Sequence, residues 1–319
     1  MSADTGPRPS AGALFGRTSR SSERVILPIN DSALSVGAQG PAFYCVHSAS
    51  GVAGTDFLAL ARRLEPAIPF YGIQAPASQM LETGFGSSVD SIAEYYADAL
   101  VKFQPTGPLV LGGYCLGAVI ALAMAQNLRA RGRQLGPLLA IDGAPENTGA
   151  SLPHWSARYW FDLARNLRRW AMHGDLTRNR APRSLVGSLK KGLRKRAYRI
   201  GRVAMGLKRG EIRGGGYSID GIMDLSPYQP AHRAFINRLY GAVLTYVPRQ
   251  YSGSVVAYEA QVTPLLYSPQ IGRAWRKFAP QSEVVDILGT HIGMMREPYV
   301  EALARDMRAR IAEFSVGLG

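Results

Sequence analysis

Cys115 stands at the centre of Gly113-Tyr114-Cys115-Leu116-Gly117, between the apolar run Pro108 to Gly112 and the unbroken Ala-rich run Ala118 to Ala130. The first run has the composition of a buried parallel strand, the second that of a helix. A Gly-x-nucleophile-x-Gly pattern at such a junction makes a very tight turn. A Cβ at either flank would strike the neighbouring strand or helix, hence the glycines. The turn lifts the central side chain above the sheet at the positive end of a helix, where a thiolate is stabilised. Cys115 is therefore a candidate nucleophile for acyl chemistry.

A thiol attacking an acyl carbon needs a base to take its proton and a third group to orient that base. Of the five histidines (His47, His154, His173, His232 and His291), only His291 lies in a Gly-bounded loop directly after a late strand, in Gly289-Thr290-His291-Ile292-Gly293. The order nucleophile, acid, histidine suits it as the base. The acid has two candidate positions. Leu138 to Ile141 reads as a strand that ends in Asp142, at the edge where the catalytic groups of parallel sheets gather. A later strand offers only Glu259, in mid-strand and followed by Gln261-Val262-Thr263-Pro264. Asp142 is the expected acid and Glu259 the alternative.

These residues need elements to carry them. Val25 to Asn30 reads as an edge strand and Pro41 to His47 as a buried one, followed by a small-residue loop from Ser48 to Thr55. A helix around Phe57 to Leu64, a strand over Pro69 to Gln74 and an amphipathic helix over Ser88 to Phe103 come next, then the Cys115 turn. Strand and helix alternate, which predicts an α/β fold: a mostly parallel sheet with helices on both faces. The rhythm stops near Thr148, and from residue 151 to 246 the chain reads as a basic, Gly-interrupted helical insertion. Strands resume at Ser254 to Ala260 and Ser282 to Leu288, and Pro298 to Phe314 closes the chain as a helix. The expected organisation is a loose tail (1–24), a first core part (25–150), a helical lid (151–246) and a last core part (247–319).

Composition narrows the class. An apolar content of 46% with 19% charged residues is that of a globular chain. Two cysteines, Cys45 and Cys115, make no disulfide framework, and the first 24 residues lack an apolar leader core, so the cytoplasm is the expected compartment. Gly112, Gly113 and Gly117 break the longest apolar stretch, Pro108 to Ala125, so it reads as strand-turn-helix rather than as a membrane span. The net charge of +14 is local: Arg158 to Arg213 holds 17 basic and 3 acidic residues, and the rest is balanced.

The chain resembles the thioesterases of polyketide and nonribosomal peptide synthetases, members of the α/β-hydrolase superfamily. The resemblance runs over about residues 26 to 314. It rests on Phe43-Tyr44-Cys45-Val46-His47-Ser48-Ala49-Ser50-Gly51, on Gly112 to Gly117, on Ile141-Asp142 and on Gly289-Thr290-His291. The family's Tyr-Val-Pro-x-x-Tyr-x-Gly entry to the next strand stands here as Tyr246 to Gly253. The family's acid follows the strand after the elbow helix, the place Asp142 holds 27 residues beyond the nucleophile. The resemblance implies a Cys115-His291-Asp142 triad and an oxyanion hole from the backbone N–H groups of Leu116 and Ala49. His47 then holds the loop structurally, and Cys45 is packing. It also implies a substrate borne on the phosphopantetheine of an acyl or peptidyl carrier protein, with no cofactor in the enzyme.

The chain departs from the family in having cysteine where serine is usual. Three readings follow: a swap that still hydrolyses, a change suited to passing the acyl group to a thiol, amine or hydroxyl, or a non-catalytic carrier-binding module. In the insertion, Leu185, Leu189 and Leu193 recur at helical spacing among Lys190, Lys191, Arg194, Lys195 and Arg196. That basic face is either simply solvated or docks an acidic carrier, coenzyme A phosphates or an anionic membrane surface. No nucleic-acid reader motif accompanies it.

Overall fold

The computed structural model describes residues 22–34, 41–145, 223–262 and 271–317, together with Trp160, Phe161, Ala164, Arg168 and Ile219. Seven strands form one sheet: β1 (Ile26–Pro28), β2 (Ala42–Val46), β3 (Phe70–Ile73), β4 (Leu109–Tyr114), β5 (Leu138–Ile141), β6 (Val255–Val262) and β7 (Ser282–Thr290). Their spatial order is β1-β3-β2-β4-β5-β6-β7, with β1 antiparallel to β3 and every other pair parallel. The helices are α1 (Asp31–Leu34), α2 (Gly54–Leu64), α3 (Ala77–Leu81), α4 (Val89–Phe103), α5 (Gly117–Ala130), α6 (Pro230–Thr245), α7 (Ile271–Phe278) and α8 (Val300–Val316). This is the expected α/β architecture, and it is an α/β-hydrolase sheet.

Strand alternation builds two cores. Tyr44, Val46, Leu109, Leu111, Leu138 and Ala140 face one side, packed with Ile92, Tyr96 and Leu100 of α4, Phe235 of α6 and Trp275 of α7. Phe43, Cys45, Val110, Leu139 and Ile141 face the other, against Phe57, Leu60 and Leu64 of α2 and Leu303 and Met307 of α8. A central strand covered on both faces is apolar throughout, and all six residues of β4 are buried. Ser88 caps α4 by accepting the Ser91 N–H at 3.3 Å, which fixes that helix one residue later than its first sequence signal.

After β2 the chain builds β3 on one side and then crosses back to build β4 on the other. Connections leave β2 and β4 in opposite directions there, opening a crevice at the carboxyl ends of the strands. The loop after β2 and the Cys115 turn lie at its two lips.

The structure refines several boundaries. β6 and β7 run two residues further than their apolar cores, because pairing with a neighbour, not hydrophobicity, ends a strand. α3 was not expected; its five residues are too few to show a helical period. The end of the expected tail is held: Ser22 accepts the Ala77 N–H at 3.0 Å and Arg24 accepts Gln74 Nε2–H at 3.1 Å. Of the expected lid, only α6 and the few residues named above are described. The basic helix with Lys190, Lys191, Arg194 and Lys195 lies outside the described residues. No helix among those described is long and apolar enough to cross a membrane.

Candidate active site

Cys115 and Asp142 have φ of 59° and 46°, and among the described residues they alone are non-glycines with positive φ. Left-handed backbone at ordinary residues costs on the order of 1–3 kcal/mol each and gathers at functional sites. The strain is held by backbone hydrogen bonds across the sheet: the Cys115 N–H donates to Ile141 O at 2.9 Å, and the Asp142 N–H to Tyr258 O at 2.8 Å. The turn is as tight as its glycines imply. A Cβ on Gly113 would sit 2.2 Å from Gly117 O, and one on Gly117 only 2.3 Å from His47 O. The second contact also presses the elbow against the loop after β2.

Asp142, directly past the end of β5, uses both carboxylate oxygens. Oδ1 accepts the Ala260 N–H at 2.8 Å, and Oδ2 accepts His291 Nδ1–H at 2.5 Å. The Asp142 side chain is 10% exposed and that of His291 40%. The next carbonyl, Gly143 O, accepts the indole N–H of buried Trp275 at 2.8 Å, which ties the acid's turn to α7. Glu259 lies within β6, and the carboxylate hydrogen-bonded to the base is that of Asp142. The structure thus brings His291 to Asp142.

With Nδ1 engaged by Asp142, Nε2 is the nitrogen left for the hydrogen bond between His291 and Cys115. Burial disfavours protonation of His291. The Cys115 sulfur, the hydrogen bonds to Asp142 and Cys115 and the Asp142 charge outweigh it, raising the pKa of His291 well above the ordinary 6.5. The arrangement favours an imidazolium beside the sulfur, which is the state a nucleophilic thiol and its base must reach.

The expected oxyanion donors belong to the elbow and to the loop after β2, which meet where Gly117 approaches His47 O. Leu116 is the first residue past the nucleophile and opens α5. Ala49 is buried in the loop after β2, and its peptide unit is gripped through the Ser48 carbonyl by His47 Nδ1–H at 2.6 Å and the Gly51 N–H at 3.2 Å. In a trans peptide that grip aims the Ala49 N–H the opposite way. Neither the Leu116 nor the Ala49 N–H has a hydrogen-bond partner among the described residues.

His47 has the structural setting expected of it. Its Nδ1–H goes to a carbonyl, so neutral Nε2 accepts the Tyr96 hydroxyl at 2.7 Å. Full burial pushes its pKa down to about 4, against the hydrogen bond to Ser48, which favours the charged form; His232 lowers it further. Because the folded pKa lies below the unfolded 6.5, the unfolded chain binds the extra proton between these values. The contribution is present above pH 6.5 and lost as pH falls through about 4, a change of about 3 kcal/mol. Urea midpoints of the wild type should fall more steeply over that window than those of His47→Gln; parallel curves would contradict it.

Sequence reasoning passed over three groups. His232, on α6, is buried and donates Nε2–H to Ser50 O at 2.6 Å, fastening the same loop from the inserted segment. Asp56, in the first turn of α2, accepts the Ser48 hydroxyl at 2.8 Å. Tyr114 donates its hydroxyl to His291 O at 2.8 Å and stacks on the imidazole. Only Tyr114 carried a signal, its place beside the nucleophile. Cys45 is fully buried in the core, its thiol pushed up by burial.

Residues 41–155 match the thioesterase domain family. That span includes Cys115 and Asp142 and stops short of His291. Enterobactin synthase component F of Escherichia coli K12 is 36% identical over 132 residues, which are 41% of this chain and 10% of that protein. The chain thus spans about a tenth of that relative's length. Among solved structures, the NocB thioesterase domain, in covalent complex with a fluorophosphonate nocardicin G analog, aligns over 90% of this chain and 99% of that one, at 21% identity and a TM-score of 0.54. A four-domain nonribosomal peptide synthetase bound to AMP and glycine aligns over 93% of this chain and 21% of its own, at 20% identity and a TM-score of 0.57. At such identities the structural likeness speaks for the fold. The resemblance to synthetase thioesterases drawn from four motifs is borne out.

Proposed function

We propose that this chain is a thioesterase that takes an acyl group from a carrier-bound thioester onto Cys115 and releases it by hydrolysis or by transfer. The observation that carries the reading is the line of side chains Cys115, His291 and Asp142, on three strand ends, closed by the 2.5 Å bond from Nδ1 to Oδ2. The thioesterase family match over residues 41–155 supports it.

The chemistry runs in two halves. Cys115 Sγ attacks the thioester carbonyl carbon as its proton passes to His291 Nε2. The tetrahedral oxyanion lies toward the N–H groups of Leu116 and Ala49, where each donor typically contributes about 10²- to 10³-fold. Collapse expels the phosphopantetheine thiolate, which takes the proton back from Nε2. Asp142 keeps Nδ1–H fixed throughout, so that Nε2 always faces the sulfur. In the second half a water, hydroxyl or amine gives its proton to Nε2 and attacks the acyl-Cys115 carbonyl, freeing the thiol. The first half exchanges one thioester for another and is nearly isoenergetic. Cysteine therefore keeps the acyl group at high transfer potential, which suits passage to an acceptor as well as hydrolysis. No step draws on a bound cofactor.

The carrier itself is the proposed partner. The positive charge concentrated between Arg158 and Arg213 complements an acidic carrier surface, with Lys190, Lys191, Arg194 and Lys195 as the proposed contacts. The direct test is intact-protein mass spectrometry after mixing with an acyl N-acetylcysteamine thioester. The expected result is one added acyl mass, decaying to free acid in water or to an amide when an amine acceptor is present. A chain that shows neither adduct nor turnover, on that thioester or on an acyl-carrier, is the binding module instead.

A further inference from the structure

The sheet does not by itself place the base against the nucleophile. β4, which carries the elbow, and β7, which delivers His291, are separated by β5 and β6. The β6–β7 register also shifts between Ala260 and Val262, close to where Val262 pairs with Thr290. Asp142 holds His291 at Nδ1 alone. The bond to Cys115 reaches the elbow from the ring, and the loop's backbone has its own link to the elbow.

Tyr114 makes that join twice. Its hydroxyl donates to the carbonyl of His291 at 2.8 Å, holding the backbone. Its ring lies nearly parallel to the imidazole, centroids 4.8 Å apart and planes 19° apart, holding the side chain. Tyr114 is only 6% exposed, so its own position is set by the core around β4. Burial raises its phenol pKa, and the charges of Cys115, Asp142 and Asp56 add to this while Arg296 opposes it, so the hydroxyl stays a donor.

We propose that Tyr114 is the positioning residue of His291, fixing the imidazole plane through its ring face and the His291 loop through its hydroxyl. The proposal rests on the reading of His291 as the base. An electron-rich ring face against the imidazole favours the charged form over the neutral one. The groups that face His291 are Asp142 beyond β5, Cys115 on the elbow and Tyr114 on β4, with Asp56 of α2 and Arg296 acting on Tyr114. Tyr114 thus acts in the same direction as the two charged partners, from a third side.

The test compares Tyr114→Phe, which keeps the ring and loses the hydroxyl, with Tyr114→Leu, which loses both. The His291 imidazole is titrated by NMR without substrate, and kcat and KM are measured on a small acyl thioester. Tyr114→Leu should move deprotonation of His291 to lower pH and reduce kcat about 10-fold or more, with KM little changed. Tyr114→Phe should leave the titration near the wild type and lower kcat only about 2- to 5-fold. Should the leucine variant not fold, Tyr114→Met, unbranched and bulky enough to fill the core, takes its place. An unchanged His291 titration in the variants that lack the ring, or a loss expressed mainly in KM, overturns the proposal. Because the titration needs no turnover, it judges Tyr114 even if the wild type forms no acyl adduct, an outcome that would count against the thioesterase reading alone.

Discussion

Cys115→Ala should accept no acyl group and lose essentially all thioester turnover while remaining folded. The loss follows from chemistry: alanine has no nucleophile, and the oxyanion donors and His291 can then do no more than assist water. Preservation of the fold follows from the backbone. Cys115 already bears a Cβ at φ 59°, so alanine adds no clash and no strain to a turn held by the Cys115 N–H bond to Ile141. The measurement is intact mass after incubation with an acyl thioester, beside thermal unfolding of both proteins. Cys115→Ser should still take up some acyl group, since His291 activates a hydroxyl as well as a thiol. An adduct of undiminished yield on the alanine variant would sink the assignment, and buried Cys45 would not rescue it.

The site was legible where chemistry leaves its mark in local sequence. The two glycines around Tyr114-Cys115-Leu116 reported the elbow because a Cβ at either has backbone within 2.3 Å. Asp142 was readable because it ends an apolar strand, and the strand's parallel neighbours make that edge the functional one. The contacts made across the sheet were not legible. Tyr114 to His291 joins residues 177 positions apart, and Trp275 to Gly143 joins residues 132 apart. Nothing in a strand's own pattern says which loop its last side chain will meet. His232 was hidden for a different reason. It sits on α6 in a segment whose composition spoke of charge, while its work is a buried hydrogen bond to Ser50. The fold itself was the easier reading, because alternating apolar strands and helices specify a parallel sheet well before boundaries are known. Boundaries depend on pairing, and so β6 and β7 ran on past their apolar cores.

His291→Ala should cost on the order of 10⁴- to 10⁶-fold in kcat/KM, second only to loss of the nucleophile. Without Nε2 no group is left to take the proton from Cys115 or return it to the departing thiol. Asp142 cannot substitute, because its oxygens are committed to the Ala260 N–H and to the far nitrogen of the missing ring. The variant should unfold at nearly the wild-type temperature, since the removed side chain is 40% exposed and leaves little cavity in the core. The pH profile carries the mechanistic content. In the wild type the raised pKa of His291 keeps the imidazolium available to protonate the leaving thiol well above pH 6.5, so activity should persist into mildly alkaline solution. In the variant any residual rate should instead climb with hydroxide, because the thiolate is then formed by solvent. Asp142→Asn should fall between the two, keeping the base but in a poorly held ring. If His291→Ala kept the wild-type rate and pH profile, the proton would be moving through another residue and the triad reading would fail, whatever became of Cys115.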